Sequence, residues 1–197
     1  MTPARRIFLL KVVIHLGAIL PLVWLYYQAF HDGLGADPVK AVIHFSGKGA
    51  LNILLLTLCI SPVAKFFKQG YLINVRRLVG LYAFFYASVH LANFILFDLQ
   101  YDFSLLLSEI IKRPYITVGM LALTFLLALA ITSPMKVRRK MGRNWQRLHN
   151  SIYLIVLLVC THYIWSVKSD IIEPLIYFAI SFVLLWLRKD KLMRMVG

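Results

Sequence analysis

Acidic residues and cysteines are scarce in this sequence of 197 residues. It contains 8 aspartates and glutamates against 22 lysines and arginines, so the formal net charge is +14. The two cysteines, Cys59 and Cys160, have no CxxC spacing, and the sequence therefore predicts neither a disulfide framework nor a zinc site. Low-complexity segments and repeats of fixed period are not evident either. We expect one compact domain over residues 1–197.

Apolar side chains make up 60% of the chain, and they are gathered in long runs between short charged loops. A run of ~20 apolar residues matches the ~30 Å hydrocarbon core of a bilayer, where backbone groups must be bonded within their own segment. Each run is therefore predicted to be a transmembrane helix. The sequence predicts an all-α integral membrane bundle of six transmembrane helices, at roughly 7–28, 49–66, 76–97, 114–132, 148–166 and 171–188.

The basic residues are distributed unevenly among the loops. Of the 22 lysines and arginines, 17 lie in the two terminal segments or in the loops after the second and fourth helices, whereas seven of the eight acids lie on the other side. Cytoplasmic loops carry an excess of lysine and arginine. Both termini are therefore predicted to be cytoplasmic, and the positive charge indicates membrane topology and contact with lipid instead of nucleic-acid binding.

Three histidines lie inside predicted spans, where ionisable groups are costly and are usually functional. His90 follows Arg77 by thirteen residues on the third helix, and His162 follows His149 by thirteen on the fifth. These two helices run in the same direction, so at ~1.5 Å per residue His90 and His162 lie at a similar depth, towards the outer half of the bilayer. His149 lies near the cytoplasmic face, level with Arg77.

Two neutral imidazoles at one depth on neighbouring parallel helices can ligate one iron from opposite sides. Heme suits this arrangement because its iron takes two axial nitrogens and its apolar ring suits a bundle core. We therefore predict His90 and His162 as the metal ligands of one heme. On an ideal helix His149 would point about 140° away from His162, which leaves weak ligation, a bond to a propionate, or contact with another cofactor as its alternatives.

Four segments and the three histidines, in their order and spacing, are typical of one family. The segments are SGKGALNILLLTLCISPV (46–63), RRLVGLYAFFYASVHL (76–91), KRPYITVGMLALTFLLALAITS (112–133) and WQRLHNSIYLIVLLVCTHY (145–163). In these features the sequence resembles the MsrQ family, the heme-binding subunits of the bacterial periplasmic protein-methionine-sulfoxide reductase system, within the ferric-reductase-like transmembrane group. The resemblance covers nearly the whole chain.

The resemblance implies heme b, an FMN, and electron delivery to a periplasmic molybdopterin-dependent subunit that reduces methionine sulfoxide in oxidised envelope proteins. It also implies a multi-pass protein of the bacterial inner membrane in which His90, His149 and His162 are the functional histidines. The chain departs from two-heme ferric reductases, which have a further histidine near position 76 or 77. A full pair of stacked hemes is therefore not expected.

The function we expect is electron transfer, with no substrate chemistry of the chain's own. Electrons would enter from a quinol or a cytoplasmic flavin reductase and leave to the periplasmic subunit. Arg76 and Arg77 belong to a cytoplasmic basic cluster that either sets topology and meets lipid headgroups or binds heme propionates and an FMN phosphate. Two alternatives remain: a cytochrome b subunit of another membrane reductase or dehydrogenase, and a small transporter or assembly factor with structural histidines.

Overall fold

The structure is a computed structural model that describes residues 2–167 and 169–189. All regular secondary structure in these residues is helical, and the chain divides between Ser108 and Glu109 into two compact units. Five helical segments are long and apolar enough to cross a membrane, and Ile172–Trp186 is a shorter apolar helix. The prediction of an all-α, multi-pass protein is confirmed, with five spans of full length and a sixth of 15 residues.

The first unit contains three long helices. They are α1 (Pro3–Phe30), α2 (Pro38–Phe66) and α3 (Arg76–Asn93). A 3₁₀ turn, Gly70–Val75, leads into α3, and a π-helical turn, Phe94–Asp98, follows it. Helix α2 packs along α3, and α1 lies against both. Their buried core contains Ala18, Leu22, Leu25, Val42 and Tyr86.

Helix α2 begins eleven residues before its predicted start at residue 49. Its N-cap is Asp37, whose carboxylate accepts a hydrogen bond from the Lys40 backbone N–H at 3.0 Å, and Pro38 occupies the first helical position. Both features favour a helix start. The polar residues His44 and Lys48, which the hydropathy pattern places in the first outer loop, therefore lie on the helix.

The second unit contains five further helices, and α4 (Phe103–Lys112) crosses the boundary between the units. The Ser104 hydroxyl donates to Asp102 just before α4, which lowers the pKa of that carboxyl. The remaining helices are α5 (Pro114–Ile131), α6 (Met135–Met141), α7 (Arg143–His149), α8 (Ile152–Ser166) and α9 (Ile172–Trp186). Helix α8 packs between α5 and α9.

The predicted helix 148–166 is interrupted near its start. Helix α7 ends at His149, and α8 begins after Asn150 and Ser151. The turn is held by bonds of three-residue spacing, such as Tyr153 N–H to Asn150 C=O at 3.2 Å. Asparagine and serine favour such interruptions because their side chains compete for backbone groups. The ideal-helix angle of about 140° between His149 and His162 therefore does not apply.

Large apolar side chains are exposed along most of the long helices, for example Val13 at 63% and Phe182 at 64%. Continuous apolar surface of this kind is unfavourable in water and is expected where helices face lipid. It agrees with a multi-pass membrane protein. Lys168, Lys191 and Arg194, three bases of the charge pattern, lie outside the described residues, and the orientation of the termini stays a prediction.

Candidate functional site

His90 lies near the end of α3 with its ring against the start of α2. Its Nδ1 is 2.9 Å from the Ile43 carbonyl oxygen. Because a carbonyl can only accept, Nδ1 carries the proton, and a neutral ring then has its lone pair on Nε2. A Cβ added at Gly47 would lie 3.0 Å from both Cε1 and Nδ1 of this ring. The ring is thus held between two closely packed helices in the tautomer that ligates metals through Nε2.

His162 has the same surroundings in the second unit. Its Nδ1 is 2.6 Å from the Tyr115 carbonyl oxygen, at the start of α5. A Cβ added at Gly119 would lie 2.8 Å from Nδ1 and 2.9 Å from Cε1 of the imidazole. The acceptor again fixes the proton on Nδ1, so a neutral ring has its lone pair on Nε2.

The two histidine sites are copies of one arrangement at a constant offset of 72 residues. The matching pairs are Ile43 and Tyr115, Gly47 and Gly119, and His90 and His162. The segments GKGALNILLLTLCISP (47–62) and GMLALTFLLALAITSP (119–134) also share seven of sixteen residues at this offset. The chain therefore contains an internal repeat, contrary to the expectation from sequence. Leucine and alanine identities are too common in membrane helices to reveal it unaided.

The repeat does not supply a second pair of histidines. The position 72 residues before His149 is Arg77, which is exposed in the first turn of α3. Its neighbour Arg76 is half-buried, with a guanidinium nitrogen 3.4 Å from the Ser61 hydroxyl. A guanidinium stays protonated and is a poor iron ligand. The repeat therefore supplies one matching pair of histidines.

His149 has surroundings of a different kind. Its Nε2 is 3.0 Å from the Thr132 hydroxyl, and its ring stacks on Trp145 with centroids 3.9 Å apart. The guanidinium of Arg138 lies 4.6 Å from the same indole. The Thr132 hydroxyl also lies 2.7 Å from the Ala128 carbonyl oxygen. The partner of this ring is therefore a side-chain hydroxyl, whereas the other two histidines donate to backbone carbonyls.

Sequence reasoning missed a polar network beside the first histidine site. Tyr26, Ser46 and Asn93, from α1, α2 and α3, are joined by hydrogen bonds. Ser46 is 0% exposed and Asn93 is 1% exposed. A buried serine and asparagine in apolar spans would have been a signal, because such polar residues usually hydrogen-bond to one another across helices.

Comparisons with known proteins agree with these features. The chain matches the family described as "Ferric reductase like transmembrane component" over residues 46–160. Two relatives, from Salmonella paratyphi B and Salmonella heidelberg, are each named protein-methionine-sulfoxide reductase heme-binding subunit MsrQ. Each is 47% identical to this chain over 189 residues, which cover 95% of both sequences. No solved structure matches the chain.

Proposed function

The chain belongs to the ferric-reductase-like transmembrane family and, within it, to the MsrQ heme-binding subunits, and from this membership we propose that it is an electron-transfer subunit. Electrons pass from a quinol or a cytoplasmic flavin reductase, through heme b, to a periplasmic molybdopterin-dependent methionine sulfoxide reductase subunit. The chain lies in the bacterial inner membrane with both termini cytoplasmic, and it performs no substrate chemistry of its own. The observation that carries the proposal is the repeated histidine arrangement.

The proposed metal ligands are His90 and His162, each through Nε2 to one iron. Heme held by these residues would supply a one-electron couple in an apolar setting that suits electron transfer. The bonds from Nδ1 to the carbonyls of Ile43 and Tyr115 hold each ring at a fixed angle and increase its basicity, as outer-shell partners of ligating histidines do. These residues fit an axial ligand set.

His149 fits an iron ligand less well, because its Nε2, the nitrogen proposed to ligate in the other two histidines, is hydrogen-bonded to the Thr132 hydroxyl at 3.0 Å. Its bond to the Thr132 hydroxyl, beside the bond from the Trp145 indole N–H to the Thr132 carbonyl at 2.9 Å, supports a positioning role in which it fastens the short helix α7 to the end of α5. We therefore assign the third histidine to the structure that surrounds the cofactors and not to the iron.

Arg76 and Arg77 are proposed to bind an anionic group, either the heme propionates or the phosphate of FMN. They occupy the first turn of α3, which continues directly from the 3₁₀ turn Gly70–Val75. Arginine adds two parallel hydrogen bonds to a phosphate or carboxylate. The exposure of Arg77 leaves its guanidinium accessible to such a group.

The decisive test is the heme content of purified full-length protein and of three alanine variants. We expect a Soret band that shifts on reduction, a loss of bound heme by more than about tenfold in His90→Ala and in His162→Ala, and near-normal heme in His149→Ala. Full heme content in either of the first two variants contradicts the ligand assignment. A wild-type protein without heme would instead favour a transporter or assembly factor with structural histidines.

The donor and the partner are tested on the same heme-loaded protein. Reduction of the heme by a quinol, compared with reduction by a flavin reductase and NADH, separates the two donors. Reoxidation by the molybdopterin-dependent subunit with methionine sulfoxide supports the proposed partner. A heme that is reduced normally but is not reoxidised by that subunit would indicate a cytochrome b subunit of another reductase or dehydrogenase.

A further inference from the structure

Hydrogen bonds connect the three helices of the first unit close to the histidine site. The Tyr26 hydroxyl on α1 donates to Asn93 Oδ1 on α3 at 2.7 Å. The Asn93 side-chain amide donates in turn to Ser46 Oγ on α2 at 3.2 Å. Because Ser46 and Asn93 are almost fully buried, neither lipid nor water competes with these bonds. The network therefore fixes the position of the Ser46 hydroxyl.

The Ser46 hydroxyl shares an acceptor with His90. It lies 3.0 Å from the Ile43 carbonyl oxygen, and the same hydroxyl is 2.9 Å from the Val42 carbonyl oxygen. The Ile43 carbonyl also accepts the bond from His90 Nδ1 at 2.9 Å. The single Ser46 proton is shared between these two carbonyls, so the Ile43 carbonyl receives part of a second donor and offers less electron density to His90. Ser46 thus weakens the bond that makes the His90 ring electron-rich.

The second unit lacks this competing donor. The residue 72 positions after Ser46 is Val118, which has no hydroxyl, and the residue 72 positions after Asn93 is Trp165. The bond from His162 to the Tyr115 carbonyl is correspondingly shorter, at 2.6 Å. The two histidines share one geometry, but the strength of their N–H bonds differs.

We propose that Ser46 is a positioning residue that raises the reduction potential of the heme by weakening the bond from His90 to the Ile43 carbonyl. A strong bond from a ligating imidazole N–H raises the basicity of the ligand and stabilises the oxidised iron. When the Ile43 carbonyl accepts this bond less strongly, the ligand is less basic and the oxidised iron is less stabilised. The reduction potential then rises, and electron uptake from the donor is more favourable. The inference rests on the proposed function, because it takes His90 as a heme ligand.

The test compares midpoint potentials of the full-length, heme-loaded protein by spectroelectrochemical titration. Ser46→Ala should shift the midpoint potential to a more negative value with heme content unchanged. Val118→Ser, which adds the hydroxyl at the matching position, should shift it to a more positive value. Thr57→Val is the control, because the buried Thr57 hydroxyl donates to the Ile53 carbonyl within α2, at 2.9 Å, and its removal should leave the potential unchanged.

An unchanged potential in Ser46→Ala with full heme content overturns the inference and leaves the proposed function standing. Normal heme content in His90→Ala overturns the proposed function itself. If Ser46→Ala does not retain heme, Val118→Ser decides: a positive shift supports the inference and an unchanged potential overturns it. The g-values of the oxidised heme provide a second readout, since they respond to ligand basicity and not to global stability.

Discussion

Each proposed ligand faces a glycine on the neighbouring helix, and the space there accepts no larger residue. The glycine allows the helix backbone to approach the imidazole closely enough for a direct bond to a carbonyl one turn earlier. Gly49 likewise allows a close approach of the Tyr86 ring, two atoms of which would lie 2.5 Å from an added Cβ. Small residues at these positions are therefore part of the histidine sites and not merely of helix packing.

The variant Gly119→Ala tests this requirement at the second site. Its Cβ would meet His162 Nδ1 at 2.8 Å, so the ring must move and the bond to the Tyr115 carbonyl must lengthen or break. We expect a severalfold loss of bound heme and a destabilisation of about 1–3 kcal/mol, as for other overpacked sites. The measurements are the heme-to-protein absorbance ratio and the thermal unfolding midpoint in detergent.

The matched control for that variant is Gly17→Ala in α1, where an added Cβ meets nothing within 4 Å. This control should bind heme normally and should be as stable as the wild type or slightly more so, because alanine is the better helix former. Equal heme content in Gly119→Ala and Gly17→Ala would show that the close approach at the second histidine is not needed.

The candidate ligands themselves could be predicted from the sequence, but their immediate partners could not. His90 and His162 lie at the same depth on two parallel helices, and that depth can be calculated by counting residues along each helix. The acceptors are backbone carbonyls, which every residue carries, so no side-chain pattern marks Ile43 or Tyr115. The only sequence feature that relates these two acceptors is their offset of 72 residues, which equals the offset between the two histidines.

At the scale of helices, hydropathy located the elements and local chemistry set their ends. The run beginning at residue 49 predicted α2 correctly as a helix, but Asp37 and Pro38 start it much earlier. The break between α7 and α8 similarly falls at Asn150 and Ser151, two polar residues within an apolar run. A pattern averaged over ~20 residues cannot resolve a cap or a turn formed by two.

The start of α3 supports a prediction about the flavin. Arg77→Ala removes an exposed guanidinium from the first turn of the helix, and we expect it to reduce copurified FMN by about tenfold, the effect of losing one charged hydrogen-bond donor to a phosphate. Heme content should stay normal if the group bound is FMN. Arg139→Ala, which removes another exposed arginine from α6, should leave both cofactors unchanged. Unchanged flavin in Arg77→Ala would remove this residue from the FMN site.

At the scale of the molecule, the two units repeat one histidine arrangement. They differ thirteen residues before each of these histidines, where the first unit has an arginine and the second has a third histidine. Where the second unit has His149, the first has Arg77, so the repeat contains one matching pair of histidines, the pair that we propose as heme ligands. The all-helical, multi-pass character follows from composition alone, because only helices satisfy the backbone across several apolar segments of this length. The repeat could not be predicted from the sequence, because the matched residues are mostly leucine and alanine, which are common in all membrane helices.

The orientation of the whole chain decides the direction of electron flow, and cysteine accessibility can establish it. In a background with Cys59→Ala and Cys160→Ala, the variants Ala36→Cys and Lys140→Cys each place one thiol at an exposed position, before α2 and in α6 respectively. A membrane-impermeant maleimide should label Ala36→Cys in intact spheroplasts and Lys140→Cys only after lysis, since loops rich in lysine and arginine stay in the cytoplasm. The reverse pattern would place the proposed donor and partner on the wrong sides of the membrane.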